Sequence, residues 1–163
     1  MPIFNIIKFS GRTINTTHDW NNLKNQVNQC LSAGRIPVIV LSALKDTTDL
    51  LEELISHACR AKSSFNTLAE DSLQKGLAEF KDRYNCLAKQ LLGVDQVEAW
   101  KPLFQELERL LLGISLTKEA TPRLKARLMG LGEWLTSHLG HAYLRQKFSD
   151  RQTYFLEAPT VIH

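Results

Sequence analysis

The chain has 163 residues, 44% of them hydrophobic, enough for one domain with a sizeable core and short for an enzyme holding two substrate sites. Its formal charge of +3 is small and the basic residues are scattered, which argues against nucleic acid as a partner. Apolar runs fall short of the ~20 residues that a membrane helix needs, so no membrane role is expected.

The first element in chain order is a strand in "IFNIIKF", Ile3 to Phe9, followed by a small-residue turn, "SGRT". A second apolar run, "IPVIVLSA" (Ile36 to Ala43), has Pro37 near its start, where a missing donor does least harm. Both runs are continuous instead of alternating, which predicts strands buried on both faces of a parallel sheet. Between them "THDWNNLKNQVNQCLSAG" sets Trp20, Leu23, Val27 and Leu31 at helical spacing, with Thr17 as N-cap and Gly34 as the stop. The result is a βαβ unit, and "TTDLLEELISHAC" resumes helical spacing after the second strand.

The middle of the chain predicts a helical hairpin joined near "GVDQ". One stripe is Leu73, Leu77, Phe80, Tyr84, Leu87 and Leu91, and the other is Trp100, Leu103, Phe104, Leu107 and Leu111. Both read as core. A further helix starts at Pro122 with Thr121 as cap and runs to about Arg145, burying Leu124, Leu128, Leu131, Leu135, Leu139 and Ala142. Gly130, Glu133, Ser137 and Gly140 project from another side. Glycine inside a helix costs up to ~1 kcal/mol against alanine, so this face is expected to meet another backbone or a ligand. Finally, "TYFLEAP" reads as a third strand, stopped at Pro159.

Three stretches fall into an order: "KFSGRT" after the first strand, "VLSALKDTTDLLEEL" after the second, and "ATPRLKARLMGLGEWLTSHL" on the late helix. In order and spacing they resemble the N-terminal part of aspartate kinases, members of the amino acid kinase family, and most of all the form fused to a diaminopimelate decarboxylase. The family's versions read approximately KFGGTS, VSALSGVTD and a GE-L-S segment on a helix; Trp20 in "HDW" also suits it. The resemblance covers almost the whole chain but only about the first half of a family kinase domain. It implies an α/β fold: a layered α/β/α unit with a short, mainly parallel sheet and a helical hairpin, like the N-terminal lobe of the carbamate kinase-like fold. Residues 1–163 are then one partial domain.

The implied chemistry is phosphoryl transfer from Mg-ATP to the side-chain carboxylate of L-aspartate, in which catalysis rests on aligning and neutralising the moving phosphoryl group. By resemblance, Lys8 and Gly11 match the phosphate-binding corner, Lys8 as the catalytic cation. Ser42 and Thr48 match hydroxyls that help bind the amino acid, and Glu133 matches the acid that holds its ammonium group. The simpler readings of the same residues are a strand-end lysine, a helix cap and a surface glutamate.

Departures from the pattern are as informative. Ser10 and Arg12 stand where the family has glycine and threonine, and Asp46 where it has glycine. A side chain in a turn that needs φ > 0 is strained, so the corner is expected to be distorted. Arg12 can compensate as a phosphate-binding cation, whereas Asp46 adds a negative charge near anions. The nucleotide pocket of the family lies in the second half of its domain, and no GxxxxGK[ST] loop replaces it here. An active site would then need a polypeptide supplying that half. The alternative is a noncatalytic, degenerate kinase-derived binding or assembly module, with an open sheet edge that recruits a partner or a second copy.

Other candidates are weaker. Cys30, Cys59 and Cys86 are odd in number and lack a CxxC, so neither disulfides nor zinc are expected and a cytoplasmic setting fits. His18, His57, His138, His141 and His163 make no metal set, and Ser137 lacks the setting of a nucleophile.

Overall fold

The computed structural model describes residues 1–61, 71–94 and 97–156. In chain order these form β1 (Phe4–Phe9), a 3-10 turn (Gly11–Thr13), α1 (Thr17–Ser32), β2 (Ile36–Leu41), α2 (Thr47–Arg60), α3 (Asp71–Leu92), α4 (Val97–Thr117) and α5 (Pro122–Lys147). The strands are parallel, in register from Phe4 opposite Ile36 to Phe9 opposite Leu41.

Helix α1 begins at a capping box formed by Thr16, one residue before the expected cap. The Asp19 amide donates to Thr16 Oγ1 (3.3 Å) and the Thr16 amide donates to Asp19 Oδ2 (2.9 Å). Gly34, at φ +69°, ends the helix as expected, its amide donating to Leu31 O (3.0 Å). This βαβ crossover lays α1 against the sheet. Trp20 is fully buried, donates its indole N–H to Ile14 O (2.9 Å), and meets Tyr143 of α5 edge to face.

The sheet is covered on one side. Phe9 is buried, and Ile7, Ile39 and Leu41 pack on the core from the same face. On the other face Phe4, Ile6, Ile36 and Val40 are exposed, Ile6 by 73%. The expectation of strands buried on both faces is therefore corrected. A continuous apolar run reports only that both faces are apolar, and among the described residues a helical layer meets one of them.

Helices α3 and α4 run antiparallel, as the hairpin reading required: Tyr84 meets Trp100 edge to face while Lys81 pairs with Glu108. Both pack against α2 and against α5. The two predicted stripes are buried, with Leu103 at the margin. Helix α5 starts as expected, Thr121 Oγ1 accepting from the Leu124 amide (3.3 Å), and extends to Lys147. The third strand is not formed at Thr153–Leu156, which carries no strand; the remainder of "TYFLEAP" lies outside the described residues. Phe155 instead packs its ring on His138 (4.5 Å between centroids), so this segment lies along α5 and not beside β1 or β2.

Candidate functional site

The carboxyl ends of β1 and β2 meet at one corner. Beyond the last paired residues the Ser42 amide donates to Phe9 O (3.1 Å) and the Lys45 amide to Gly11 O (3.2 Å), so the two loops are stitched together for a further turn. Gly11 is what permits this. A Cβ there would stand 2.3 Å from Ala43 O and 2.9 Å from Lys45 N, distances that no side chain can occupy. Ser10 has an extended backbone (φ −82°, ψ 162°), which suits any residue, so serine at this position introduces no strain.

The loop from Ala43 to Asp46 leads into α2. Asp46 occupies the N-cap position with φ 60° and ψ 3°, the left-handed conformation that glycine adopts far more readily, and its side chain makes no capping bond. It lies 3.7 Å from Lys45 Nζ, a pair open to solvent and of little energetic weight. The first turn of α2 thus has no side-chain cap, and its positive end is turned to the corner. Thr47 is fully buried while Thr48 is exposed, and Ser42 is partly exposed.

Helix α5 closes the other side. A Cβ on Gly132 would be 2.8 Å from Thr47 Cγ2 and 3.1 Å from Ala43 Cβ. The same loop is therefore pressed between Gly11 and Gly132, and Glu133, exposed, follows directly. Gly140 lets α5 approach the sheet: its Cβ would fall 2.3 Å from Leu41 Cδ1. The glycines on this face are expected to meet another backbone or a ligand; Gly140 is closely approached, but by the side chains of Leu41 and Trp20. Gly130 is not, with nothing within 4 Å of its Cβ position, and Gly132 was missed because it falls beside the apolar stripe.

The three motif stretches thus converge on residues 43–47. Strand alternation sends Lys8 to the exposed face of the sheet with Phe4 and Ile6, whereas Leu41, which meets Gly140 of α5, lies on the other face. Arg12 is exposed in the 3-10 turn. Two clefts lie elsewhere, one of about 440 Å³ lined by Lys81, Asn85 and Glu108, the other of about 220 Å³ between α2 and α3.

Two residues of α3 join the site without belonging to any motif. Arg83 donates to the carbonyl of Lys45, and the buried Tyr84 donates its hydroxyl to Gly132 O (2.9 Å). A tyrosine on an apolar stripe is indistinguishable in sequence from core, so nothing marked it. His138 and His141 both lie against Phe155, at 4.5 and 5.6 Å between centroids. Among the described residues no group of three or more His, Cys, Asp or Glu gathers at metal-binding distance, and no helix is long and apolar enough to cross a membrane.

No family model matches the chain. Aspartokinase 2, chloroplastic, of Arabidopsis thaliana is 32% identical over 142 residues, 86% of this chain and 24% of that protein. The chain therefore spans about a quarter of the length of this curated relative. E. coli aspartokinase III in complex with aspartate and ADP (R-state) superposes with a TM-score of 0.67 at 21% identity, over 89% of this chain and 29% of its own. The same enzyme with lysine and aspartate (T-state) gives 0.59 at 24% identity, over 92% and 30%. The matches do not separate the decarboxylase-fused form from other aspartokinases. In sequence and in its mixed α/β fold, with a short parallel sheet, the chain is aspartate kinase-like.

Proposed function

We propose that the chain is the amino-acid-binding lobe of an aspartate kinase, a partial amino acid kinase domain spanning residues 1–163. The observation that carries this reading is the convergence of three motif stretches on one loop, held between Gly11 and Gly132. In this reading Glu133 pairs with the ammonium group of L-aspartate, and the hydroxyls of Ser42 and Thr48 hold the amino acid beside the positive end of α2. Completed by a polypeptide supplying the nucleotide-binding half, the site uses Mg-ATP. A side-chain oxygen of aspartate attacks the γ-phosphorus, the bond to the bridging oxygen of ADP breaks, and aspartyl phosphate forms, feeding amino-acid biosynthesis. Lys8 near the carboxyl end of β1, with Gly11 and Arg12 in the turn that follows, stabilises phosphoryl oxygens. The unpaired Cys30, Cys59 and Cys86 are in keeping with a reducing cytoplasm.

Calorimetric titration with L-aspartate tests the reading. Saturable binding that Glu133→Ala abolishes supports it; a folded chain that takes up no aspartate refutes it. The second reading, a noncatalytic module that docks on a protein partner or on another copy of itself, is favoured by the exposed apolar face of Phe4, Ile6 and Val40. Association that buries this face, with no aspartate binding, would select it.

A further inference from the structure

Beneath the 43–47 loop lies a buried polar cluster that the motif residues leave unexplained. Tyr84 is fully buried on α3, yet its hydroxyl donates to Gly132 O (2.9 Å) and lies 3.3 Å from Thr136 Oγ1. Thr136, also fully buried, donates to the same carbonyl (2.8 Å). Two hydroxyls therefore converge on a helix-interior carbonyl of α5. Thr47 completes the cluster: it is fully buried against Gly132, and its Oγ1 stands near the phenol without a hydrogen bond of good geometry.

Filling volume between α3 and α5 requires no hydroxyl; phenylalanine would serve, and a buried phenol carries a desolvation cost unless it is bonded. Burial pushes the Tyr84 phenol above its usual range, with Thr136, Thr47 and the Leu44 backbone opposing, so the neutral O–H is retained as a donor. The bond fixes α5 at a particular height. Gly132 directly precedes Glu133, and Thr47, packed on Gly132, directly precedes Thr48. Arg83, the neighbour of Tyr84, holds the carbonyl of Lys45 in the same loop. One turn of α3 thus grips both walls of the corner.

We propose that Tyr84 is a positioning residue of the amino-acid site, setting through Gly132 and Thr47 the separation between Glu133 and Thr48. The inference rests on the reading of that site given above. A carboxylate and a hydroxyl that hold the two ends of one small amino acid must keep a fixed spacing, and loosening it weakens binding before it unfolds the protein.

The test is titration of the 163-residue chain with L-aspartate, comparing wild type with Tyr84→Phe and with Ile114→Val, a mild core change in α4 away from the cluster. Loss of the hydroxyl bonds is expected to weaken aspartate binding about five- to tenfold. Ile114→Val is expected to lower the unfolding midpoint and leave binding unchanged. Amide exchange in Tyr84→Phe is expected to quicken in both residues 43–48 and 131–136. Binding by wild type that Tyr84→Phe leaves unchanged overturns this inference alone. No saturable binding by wild type overturns the functional reading and this inference with it. If Tyr84→Phe does not fold, the same change is made in a Gly130→Ala background, where open space at the Cβ position lets alanine stabilise the helix, and binding equal to that of Gly130→Ala alone overturns the inference equally.

Discussion

Gly11 and Ala43 meet backbone to backbone: the carbonyl oxygen of Ala43 lies 2.3 Å from where a Cβ on Gly11 would be. The glycine of the first motif is thus a packing requirement between two loops, whatever anion the corner holds. Gly11→Ala is expected to force the loops apart and to destabilise the fold by about 1–3 kcal/mol, as overpacking does. Urea denaturation checks it. An unchanged midpoint would mean that the loops separate freely and do not form a defined corner.

Asp46 sits across the same loop at φ 60°. Asp46→Gly removes left-handed strain and is expected to raise stability by up to about 1 kcal/mol, even though glycine adds freedom to the unfolded chain. Its exposed pairing with Lys45 offsets little of that. If the site binds anions, removing this carboxylate also strengthens phosphate binding at low salt. A thermal midpoint that falls on substitution would show that the aspartate side chain supports the turn in some way that outweighs its backbone strain.

On α5 two glycines are expected to respond with opposite sign. Gly130 has open space at its Cβ position, so Gly130→Ala is expected to stabilise by about 1 kcal/mol through helix propensity. Gly140 faces Leu41 and Trp20, and Gly140→Ala is expected to destabilise by about 1–3 kcal/mol because that seam is already filled. Paired denaturation curves decide the matter, and equal effects at both positions would contradict the packing described.

Asp19 closes the capping box of α1. Burial raises its pKa, but the Thr16 hydroxyl, the Thr16 and Asn15 amides and the charge of His18 outweigh that and hold it below 3.8. A carboxyl lowered in the folded state stabilises above its unfolded pKa, and the contribution is lost as pH falls through the folded value. Asp19→Ala is expected to cost about 1 kcal/mol near neutral pH. The gap to wild type should close as the pH drops below about 3.8, the ordinary carboxylate value. A gap that persists in strong acid would assign the loss to packing.

Much of this arrangement was legible in the sequence because it depends on local chemistry. The stripes from Leu73 to Leu91 and from Trp100 to Leu111, the cap at Thr121 and the stop at Gly34 each state their structure within a few residues. What was not legible depends on partners distant in the chain. Tyr84 gave no sign of its bond to Gly132, 48 residues away. Gly132, beside an apolar stripe, carries no sign in the sequence that it seats Thr47, 85 residues away. The run "TYFLEAP" has strand propensity, but Thr153–Leu156 lies along α5, where Phe155 stacks on His138.

The exposed face of the sheet turns this difference into a test of register. Ile6 and Ile7 are chemically identical neighbours, yet Ile6 is 73% exposed while Ile7 packs against the core. Ile6→Thr keeps a β-branched residue on an open face and is expected to change stability by no more than about 0.5 kcal/mol. It should also lower binding of an apolar dye or self-association, since it breaks the patch shared with Phe4 and Val40. Ile7→Thr is expected to cost about 1–3 kcal/mol, because it places a hydroxyl on the face that packs against the core. A one-residue slip of β1 would exchange the two outcomes. If both substitutions prove costly, the outer face is covered in solution, and the protein's own copies are the first cover to look for by sedimentation.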